Sequence, residues 1–200
     1  MNGIVLVISG PAGVGKTTLC DRLLIDYKAK LSRVVTVTTR LPREGEKNGK
    51  DYLFISKDEF KDLILEQAFI EYAQIHDNYY GSLKKTVQEL FHKNHDVLLN
   101  IDVQGASSLK NLEDNENFLK YRIFSVFIMP SSLLELKERL KCRGLDTDKE
   151  IEKRLTTASN EVLLHDKFDF VIKSKSKSED YAELSNFYSQ HSKILSGIRD

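Results

Sequence analysis

The stretch Gly10-Pro11-Ala12-Gly13-Val14-Gly15-Lys16-Thr17 follows directly on the apolar run Ile-Val-Leu-Val-Ile at residues 4–8. It fits the pattern G-x-x-x-x-G-K-[ST], in which a buried strand ends at a glycine-rich turn and a helix begins. Backbone N–H groups of such a turn, with the positive end of the helix dipole, bind a di- or triphosphate. Lys16 can reach the β- and γ-phosphates, and the Thr17 hydroxyl can join a Mg²⁺ shell. The stretch therefore predicts a nucleoside triphosphate site, and the alternative of a plain βα turn with an exposed lysine is disfavoured.

The composition is that of an ordinary globular domain. The 200 residues are 40% hydrophobic, and 30 basic side chains balance 30 acidic ones. A chain of this length fits one domain, or a core domain with insertions. Because no net charge is left, duplex DNA or an anionic membrane is not implied, and we expect neither a nucleic-acid nor a membrane partner.

The cysteines and the N-terminus predict a cytoplasmic location. Cys20 and Cys142 lie in predicted helices without the spacing of metal ligands, so we expect reduced thiols in a cytosolic protein. The chain begins without a charged leader or a small-residue cleavage site. The apolar run at 4–8 is too short to span a bilayer.

Apolar runs typical of strands alternate with helical patterns along most of the chain. This alternation predicts an α/β fold with a mostly parallel sheet that is covered on both faces. The predicted strands are residues 4–9, 33–37, 97–101, 123–128 and 168–172. The predicted helices are residues 16–27, 57–67, 83–92, 132–143, 149–165 and 180–194.

Two stretches interrupt this alternation. Residues 38–82 are rich in Gly, Arg and Tyr, and they predict an inserted subdomain of short strands and one helix. Residues 139–154 place three arginines around Gly144, a break between two helices, and this arrangement suits a mobile lid.

Asn100 and Asp102 are candidate residues at the end of the strand predicted at 97–101. Their spacing of two puts both side chains on one face. In folds with a phosphate-binding loop, a neighbouring strand end often supplies a carboxylate to the Mg²⁺ shell. An equally good interpretation is that Asp102 caps a helix that starts near Gln104 and Gly105.

The inserted stretch carries further candidates, each with an ordinary structural alternative. Arg40 and Arg43 flank Pro42, and two guanidinium groups suit a second phosphate, although most surface arginines are simply solvated. The hydroxyls of Tyr52, Tyr79 and Tyr80 could add donors, or the rings could be core. Glu71 interrupts an apolar stretch, so it is either on the surface of a strand or a buried acceptor that faces a ligand.

The predicted lid contains Arg139, Arg143 and Arg154. Phosphoryl transfer needs positive charge over the equatorial oxygens in the transition state, and arginines on a lid can supply it while excluding water. The alternative is an ordinary helix ion pair, because Glu135 and Arg139 are four residues apart.

Several of these segments together resemble guanylate kinase, in collinear order over nearly the whole chain. They are residues 36–52 (TVTTRLPREGEKNGKDY), 69–72 (FIEY), 78–82 (NYYGS), 100–105 (NIDVQG), 139–144 (RLKCRG), 153–155 (KRL) and 168–172 (FDFVI). The resemblance implies a three-layer P-loop fold of one domain. Its core would comprise residues 1–35, 94–136 and 161–200, with a GMP-binding insert at 36–93 and a lid at 137–160.

The resemblance also implies an activity: transfer of the ATP γ-phosphate to GMP or dGMP in purine nucleotide metabolism, with Mg²⁺ as cofactor. It implies no oligomeric state. Two alternatives remain. One is a non-catalytic module that binds phosphorylated peptides, against which the intact Lys16-Thr17 pair and lid arginines speak. The other is a kinase for a different nucleoside monophosphate.

The resemblance assigns roles to single residues. Those implied to bind ATP are Gly10, Pro11, Ala12, Gly13, Val14, Gly15, Lys16, Thr17, Thr18, Arg139 and Ser174. Those implied to bind GMP are Thr36, Arg40, Arg43, Tyr52, Glu71, Tyr80, Ser82 and Asp102. Those implied in catalysis are Lys16, Arg40, Arg143 and Arg154, and those implied around Mg²⁺ are Thr17 with Asn100 and Asp102 through water.

Three positions depart from the guanylate kinase pattern. Thr36 stands where many relatives have Ser, which keeps the hydroxyl and adds a methyl group. Asn100 stands where an acid is usual, so the Mg²⁺ neighbourhood becomes less negative. Lys173 and Ser174 replace a Val-Asn pair whose amide touches adenine, which could relax the selectivity for the triphosphate base.

Overall fold

A computed structural model describes residues 3–75, 77–113, 119–120, 122–142 and 147–194. Its strands are β1 (Val5–Ser9), β2 (Leu31–Arg33), β3 (Val37–Thr38), β4 (Leu53–Phe54), β5 (Phe69–Ile75), β6 (Asn78–Leu83), β7 (Asp96–Asn100), β8 (Ile123–Met129) and β9 (Phe170–Lys173). Its helices are α1 (Lys16–Asp26), α2 (Lys57–Leu65), α3 (Lys84–His92), α4 (Val103–Glu113), α5 (Leu133–Cys142), α6 (Asp148–Val162) and α7 (Lys177–Ile194), with a 3₁₀ turn at His165–Lys167.

The first sheet has five strands in the order β2-β7-β1-β8-β9, and every pairing in it is parallel. All five residues of the central strand β1 are buried. Ile4, Leu6 and Ile8 pack in one cluster with α1 and α7, whereas Val5 and Val7 pack in another with α3 and α4. Both faces are therefore covered, which confirms the predicted α/β class with its parallel sheet.

The second sheet has four strands in the order β4-β3-β6-β5. Strands β5 and β6 are antiparallel, and Ala73 pairs with Tyr80. Helix α2 packs on this sheet through Phe60, whose ring stacks on Phe69 at 4.5 Å and on Tyr79 at 5.3 Å between centroids. Tyr79 is thus part of a small apolar core, which was one of the two interpretations of its sequence.

The prediction of one strand at 33–37 was wrong. Strand β2 ends at Arg33 and belongs to the first sheet, whereas β3 begins at Val37 and belongs to the second. The apolar residues between them continue the pattern while the chain crosses from one sheet to the other. Val34 is buried against the first sheet and Val37 in the core of the second.

Helix α4 was not among the helices predicted from periodicity, although the capping interpretation of Asp102 implied a helix start near Gln104 and Gly105. Its first half, Val-Gln-Gly-Ala-Ser-Ser, contains a glycine and two serines, which have low helix propensity. Tertiary packing compensates, because Ala106 and Leu109 are buried against the first sheet. The side chain of Asp102 also caps the start of the helix.

Cys20 is buried, Cys142 is exposed, and both are free thiols. None of the helices in the described part of the chain combines the length and the apolar character needed to cross a bilayer.

Candidate functional site

The loop between β1 and α1 is shaped by glycines that have positive φ angles. Gly10, Gly13 and Gly15 have φ of 136°, 92° and 111°, a region that side chains disfavour. A Cβ atom on Gly10 would lie 2.5 Å from the carbonyl oxygen of Ile128, so this position has no room for a side chain. Because Gly15 is the N-cap of α1 and has no side chain, the N–H groups of the first turn remain available to an anion.

Lys16 lies over this loop. Its Nζ donates to the carbonyl oxygen of Gly10 at 2.5 Å and to that of Pro11 at 3.1 Å. The ammonium group is therefore held at the mouth of the loop, where a bound phosphate would meet it.

Two cavities meet beside Lys16. The first has a volume of about 260 Å³ and lies between the second sheet and the carboxyl edge of the first. The second has a volume of about 380 Å³ and lies between the same edge and α6. Their shared lining residues are Ala12, Lys16, Ile75, Asn100, Ile101 and Asp102. Ligands of open parallel sheets bind at this carboxyl edge, and two ligands placed here would meet at Lys16.

The end of β7 brings Asn100 and Asp102 to this meeting point. Asn100 Nδ2 lies 3.5 Å from Thr17 Oγ1, which places the strand end directly beside the phosphate-binding loop. Asp102 Oδ1 accepts a 2.8 Å hydrogen bond from the N–H of Gly105, so the capping interpretation is confirmed. Asp102 also lines both cavities, so the capping role leaves it facing any ligand there.

Glu71 is a buried carboxylate in the wall of the first cavity. Its residue is only 4% exposed, and it pairs across the strands with Ser82. Among the described residues, three buried side-chain oxygens have no hydrogen-bond partner: Ser9 Oγ, Glu71 Oε1 and Ser82 Oγ. Burial raises the pKa of Glu71 to about 7, and nearby Asp102 adds to the rise while Ser82 opposes it. The interpretation of Glu71 as a strand-surface carboxylate was therefore wrong. A buried polar atom without a partner requires an explanation, and a ligand that brings hydrogen-bond donors into this cavity would provide one.

Gly105 permits the close approach of α4 to this carboxylate. A Cβ atom there would lie 2.6 Å from Glu71 Oε2 and 3.2 Å from Asp102 Oδ1. The two acidic side chains therefore lie side by side at one end of the first cavity. Burial also raises the pKa of Asp102, against the lowering effects of the Gly105 N–H and Lys16.

Three other predicted residues line the first cavity: Thr36, Tyr52 and Tyr80. The rings of Tyr52 and Tyr80 meet edge to face with centroids 6.1 Å apart. The guanidinium carbon of Arg40 lies 5.3 Å from the ring centre of Tyr52, and its Nη2 forms a 2.8 Å ion pair with Glu46.

Arg43 lies further out. It is exposed, and its backbone N–H donates to Glu46 at 2.7 Å. Neither Arg40 nor Arg43 lines either cavity in this conformation. The structure thus brings Arg40 to the rim of the first cavity and leaves Arg43 outside it.

The arginines of the predicted lid lie in different surroundings. Arg154 lines the second cavity from α6. Arg139 forms the expected ion pair with Glu135, and its Nη1 also donates to the carbonyl oxygen of Val14 at 3.0 Å. Arg143 and the break at Gly144 lie outside the described residues.

Ser174 stands apart from both cavities. Its buried hydroxyl donates to Asp180 at 2.7 Å, next to the start of α7.

Two charged side chains that line these cavities were missed by the sequence analysis. Glu161 lines the second cavity, and burial raises its pKa to about 7. It lies on one face of α6 with Arg154 and Thr157, at spacings of three, four and seven residues, which was a detectable signal. Arg33 lines the first cavity from the end of β2. The sequence analysis placed Arg33 at the start of a predicted strand, whereas it is the last residue of β2.

Comparison with known proteins gives a consistent result. The sequence model described as guanylate kinase matches residues 2–191. The chain is 40% identical over 199 residues to a guanylate kinase of Clostridioides difficile, covering 99% of this chain and 93% of that one. It is 39% identical over 196 residues to one from a Wolbachia of Brugia malayi, covering 98% and 97%. A crystal structure of guanylate kinase from Anaplasma phagocytophilum is similar with a TM-score of 0.73 and 31% identity, covering 96% of this chain and 87% of that one.

Proposed function

The chain belongs to the guanylate kinase family, a family of nucleotide kinases, and we propose that it transfers the γ-phosphoryl group of ATP to GMP and dGMP. The products would be ADP and GDP or dGDP, and the reaction would serve purine nucleotide metabolism in the cytoplasm. The observation that carries the proposal is the buried, unpartnered oxygen of Glu71 in a cavity that opens onto the phosphate-binding loop.

Glu71 is the proposed reader of guanine. Guanine presents its N1–H and 2-amino group side by side, and one carboxylate can accept both hydrogen bonds. Adenine has an acceptor at N1, which would leave the buried carboxylate repelled and unpaired. The hydroxyls of Ser82 and Thr36 would complete the contacts, and Asp102 would face the same edge of the base from beside Glu71.

The GMP phosphate would be held at the outer rim of the first cavity. Tyr52 and Tyr80 line that cavity, and Arg40 lies against Tyr52. Arg43 is exposed, so its contribution requires the insert at 36–93 to close over the nucleotide. The Arg40–Glu46 ion pair would weaken as the phosphate becomes the new partner of the guanidinium group.

ATP would bind through the loop at 10–18 and under the lid at 137–160. Lys16 lies at the loop mouth, and Arg154 lines the second cavity next to it. We assign Arg139 and Arg143 to the same nucleotide, the first because it already contacts the loop at Val14. Ser174 would contact adenine only if its bond to Asp180 rearranged.

In the proposed reaction an oxygen of the GMP phosphate attacks the γ-phosphorus of ATP. The new P–O bond forms as the bond between the γ-phosphorus and the β,γ-bridging oxygen breaks, and ADP leaves with that oxygen. No side-chain nucleophile is needed. Lys16, Arg40, Arg143 and Arg154 would position the phosphates and neutralise the charge on the transferring group.

Mg²⁺ fits the donor set at the end of β7. Thr17 and Asn100 approach each other there, and Asp102 faces the same corner, so hard oxygen donors converge. Among the residues that the structure describes, no group of three His, Cys, Asp or Glu side chains could hold a metal alone. When bound, Mg²⁺ would neutralise charge on the substrate phosphates, with Thr17, Asn100 and Asp102 as the residues that would hold it, the latter two through water.

A single assay tests the proposal. ADP release from ATP is coupled to a spectrophotometric readout and measured with GMP, dGMP, AMP, UMP and dTMP as acceptors. We expect strong activity with GMP and dGMP only. Absence of turnover despite GMP binding would instead support a binding module, and higher activity with another acceptor would support a different monophosphate kinase.

Asn100→Asp is expected to be tolerated and to lower the Mg²⁺ concentration for half-maximal activity. The amide contributes no charge at this corner, and hard cations favour carboxylate oxygen. Turnover at saturating Mg²⁺ should change little. A Mg²⁺ titration at fixed ATP and GMP measures the midpoint, and calorimetric binding of ATP with and without Mg²⁺ gives a second readout. If neither changes, Asn100 does not face the metal.

The pH dependence of kcat/KM for GMP is expected to follow Glu71. Its pKa in the free protein is raised to about 7 by burial, and the proposed hydrogen bonds require the carboxylate. kcat/KM should therefore rise with pH until about 7 and then level off. The matched control is Glu71→Gln, which cannot titrate and should lose this limb. A limb near 7 that survives in the variant would assign the titration to another group, such as Glu161.

A further inference from the structure

Arg33 is a cationic residue in the wall of the first cavity that the proposed function does not use. It is the last residue of β2, at the same carboxyl edge of the first sheet as the phosphate-binding loop and Asn100. Thr17, Thr18 and Thr36 line the same cavity. Among the described residues, Lys16 and Arg33 are the cationic side chains that line this cavity.

Arg33 and Glu71 line that cavity from two different sheets. Glu71, Ala73 and Ile75 alternate along β5 and so present one face of the second sheet. Arg33 comes from the end of β2 in the first sheet. A planar base between the two sheets would thus have a carboxylate at one edge and a guanidinium group available at another.

The guanidinium group of Arg33 is available to a ligand. Asp21 is its ion-pair partner among the described residues, at 3.5 Å between Nη1 and Oδ1. The two side chains are 37% and 54% exposed, and exposed pairs of this kind are weak. Lys16, in contrast, is held by two loop carbonyls.

The chemistry of guanine matches this arrangement. Guanine carries donors at N1 and the 2-amino group, and two acceptors, O6 and N7, on the adjoining edge. Arginine binds that acceptor pair with two parallel N–H groups, a recurrent mode of guanine recognition. Adenine has an amino group in place of O6, which would oppose the guanidinium donors. A cation at this position would therefore favour guanine over adenine, as Glu71 does, but it would contact a different edge of the base.

We propose that Arg33 is a specificity-determining residue that donates two hydrogen bonds to O6 and N7 of the guanine of GMP. This inference rests on the proposed function. It requires the guanidinium group to leave Asp21 when GMP binds.

The test compares Arg33→Met with Asp21→Asn. Both variants break the ion pair, but only the first removes the proposed contact. We expect Arg33→Met to raise KM for GMP about tenfold, as for loss of one bidentate base contact, with KM for ATP unchanged. Asp21→Asn should leave KM for GMP unchanged or lower it. Thermal midpoints of both variants check that the fold is kept.

A substrate analogue separates recognition from a change of cavity shape. The 7-deaza analogue of GMP lacks only the N7 acceptor, so Arg33→Met should raise its KM by a smaller factor than that for GMP. Equal factors for the two substrates would overturn the inference, as would equal effects of the two variants. A wild-type protein that fails to phosphorylate GMP would instead overturn the proposed function itself.

Discussion

Lys16→Ala is expected to lower the rate of phosphoryl transfer by at least about 100-fold while leaving the fold intact. Removing one preorganised electrostatic stabiliser of a transition state typically raises the barrier by about 2.7–4 kcal/mol. The ammonium group lies at the meeting point of the two cavities, where the β- and γ-phosphates would be neutralised. We expect the loop to keep its shape, because Gly10, Gly13 and Gly15 supply its positive φ angles and glycine adopts such angles without strain.

Single-turnover rates with saturating ATP and GMP measure this effect directly. Lys16→Met, which keeps the length of the chain without its charge, separates charge from packing and should behave like the alanine variant. Lys61→Ala is the matched control, because that lysine is exposed on α2 and pairs only weakly with Asp58 at 3.6 Å. Retention of more than about a tenth of the wild-type turnover, a barrier change near 1.4 kcal/mol, would falsify the role of Lys16.

The central part of the fold could be predicted because its signals are local. The apolar run before Gly10 and the glycines after it define a strand, a turn and a helix start within 14 residues, and the structure has all three. The capping boxes of α2 and α6, at Ser56 with Glu59 and Thr147 with Glu150, are local in the same sense.

Elements that depend on tertiary contacts were less predictable. Residues 34–37 (VVTV) form a continuous run of β-branched residues typical of one strand, and only the placement of two separate sheets divides the segment. Helix α4 has weak intrinsic propensity, and it depends on burial of Leu109 and on the cap from Asp102. The cap was one of the two interpretations of Asp102 in the sequence, whereas the burial of Leu109 against the first sheet cannot be inferred from its spacing.

The candidate site shows the same limit. Glu71 stands out in the sequence as a charge within an apolar stretch, but the sequence does not show whether it is buried. Its burial depends on β6, which pairs with its strand, and on Gly105 of α4, which packs against its carboxylate. Arg33 reaches the first cavity from an element distant in sequence, and only the assembled fold shows that it lines a candidate ligand site.

Glu71→Gln is expected to raise KM for GMP by about 100-fold with little change in KM for ATP. An amide places one acceptor oxygen toward guanine and sets its own NH₂ against the second donor. In a buried site the loss of a charged acceptor and the new donor clash each contribute about 1–3 kcal/mol. Separate KM determinations for the two substrates measure the effect, and Glu66→Gln, the same change at an exposed residue, is the control. An equal rise in both constants would show that Glu71 is structural.

The same variant should be more stable than the wild type without nucleotide at alkaline pH. The folded-state pKa of Glu71 is raised to about 7 from an ordinary 4.5, so the folded protein binds the extra proton between these values. The free energy of unfolding of the wild type therefore falls by about 3 kcal/mol as the pH rises through that window. The Glu71→Gln variant has no such pH dependence, because its side chain does not titrate. The thermal midpoints of the wild type and of Glu71→Gln should be similar near pH 5, and that of the variant should be higher by pH 8. A variant that loses GMP binding without gaining this stability would show that the carboxylate is not strained by burial, and the cavity would then lack the pre-formed charge on which guanine recognition depends.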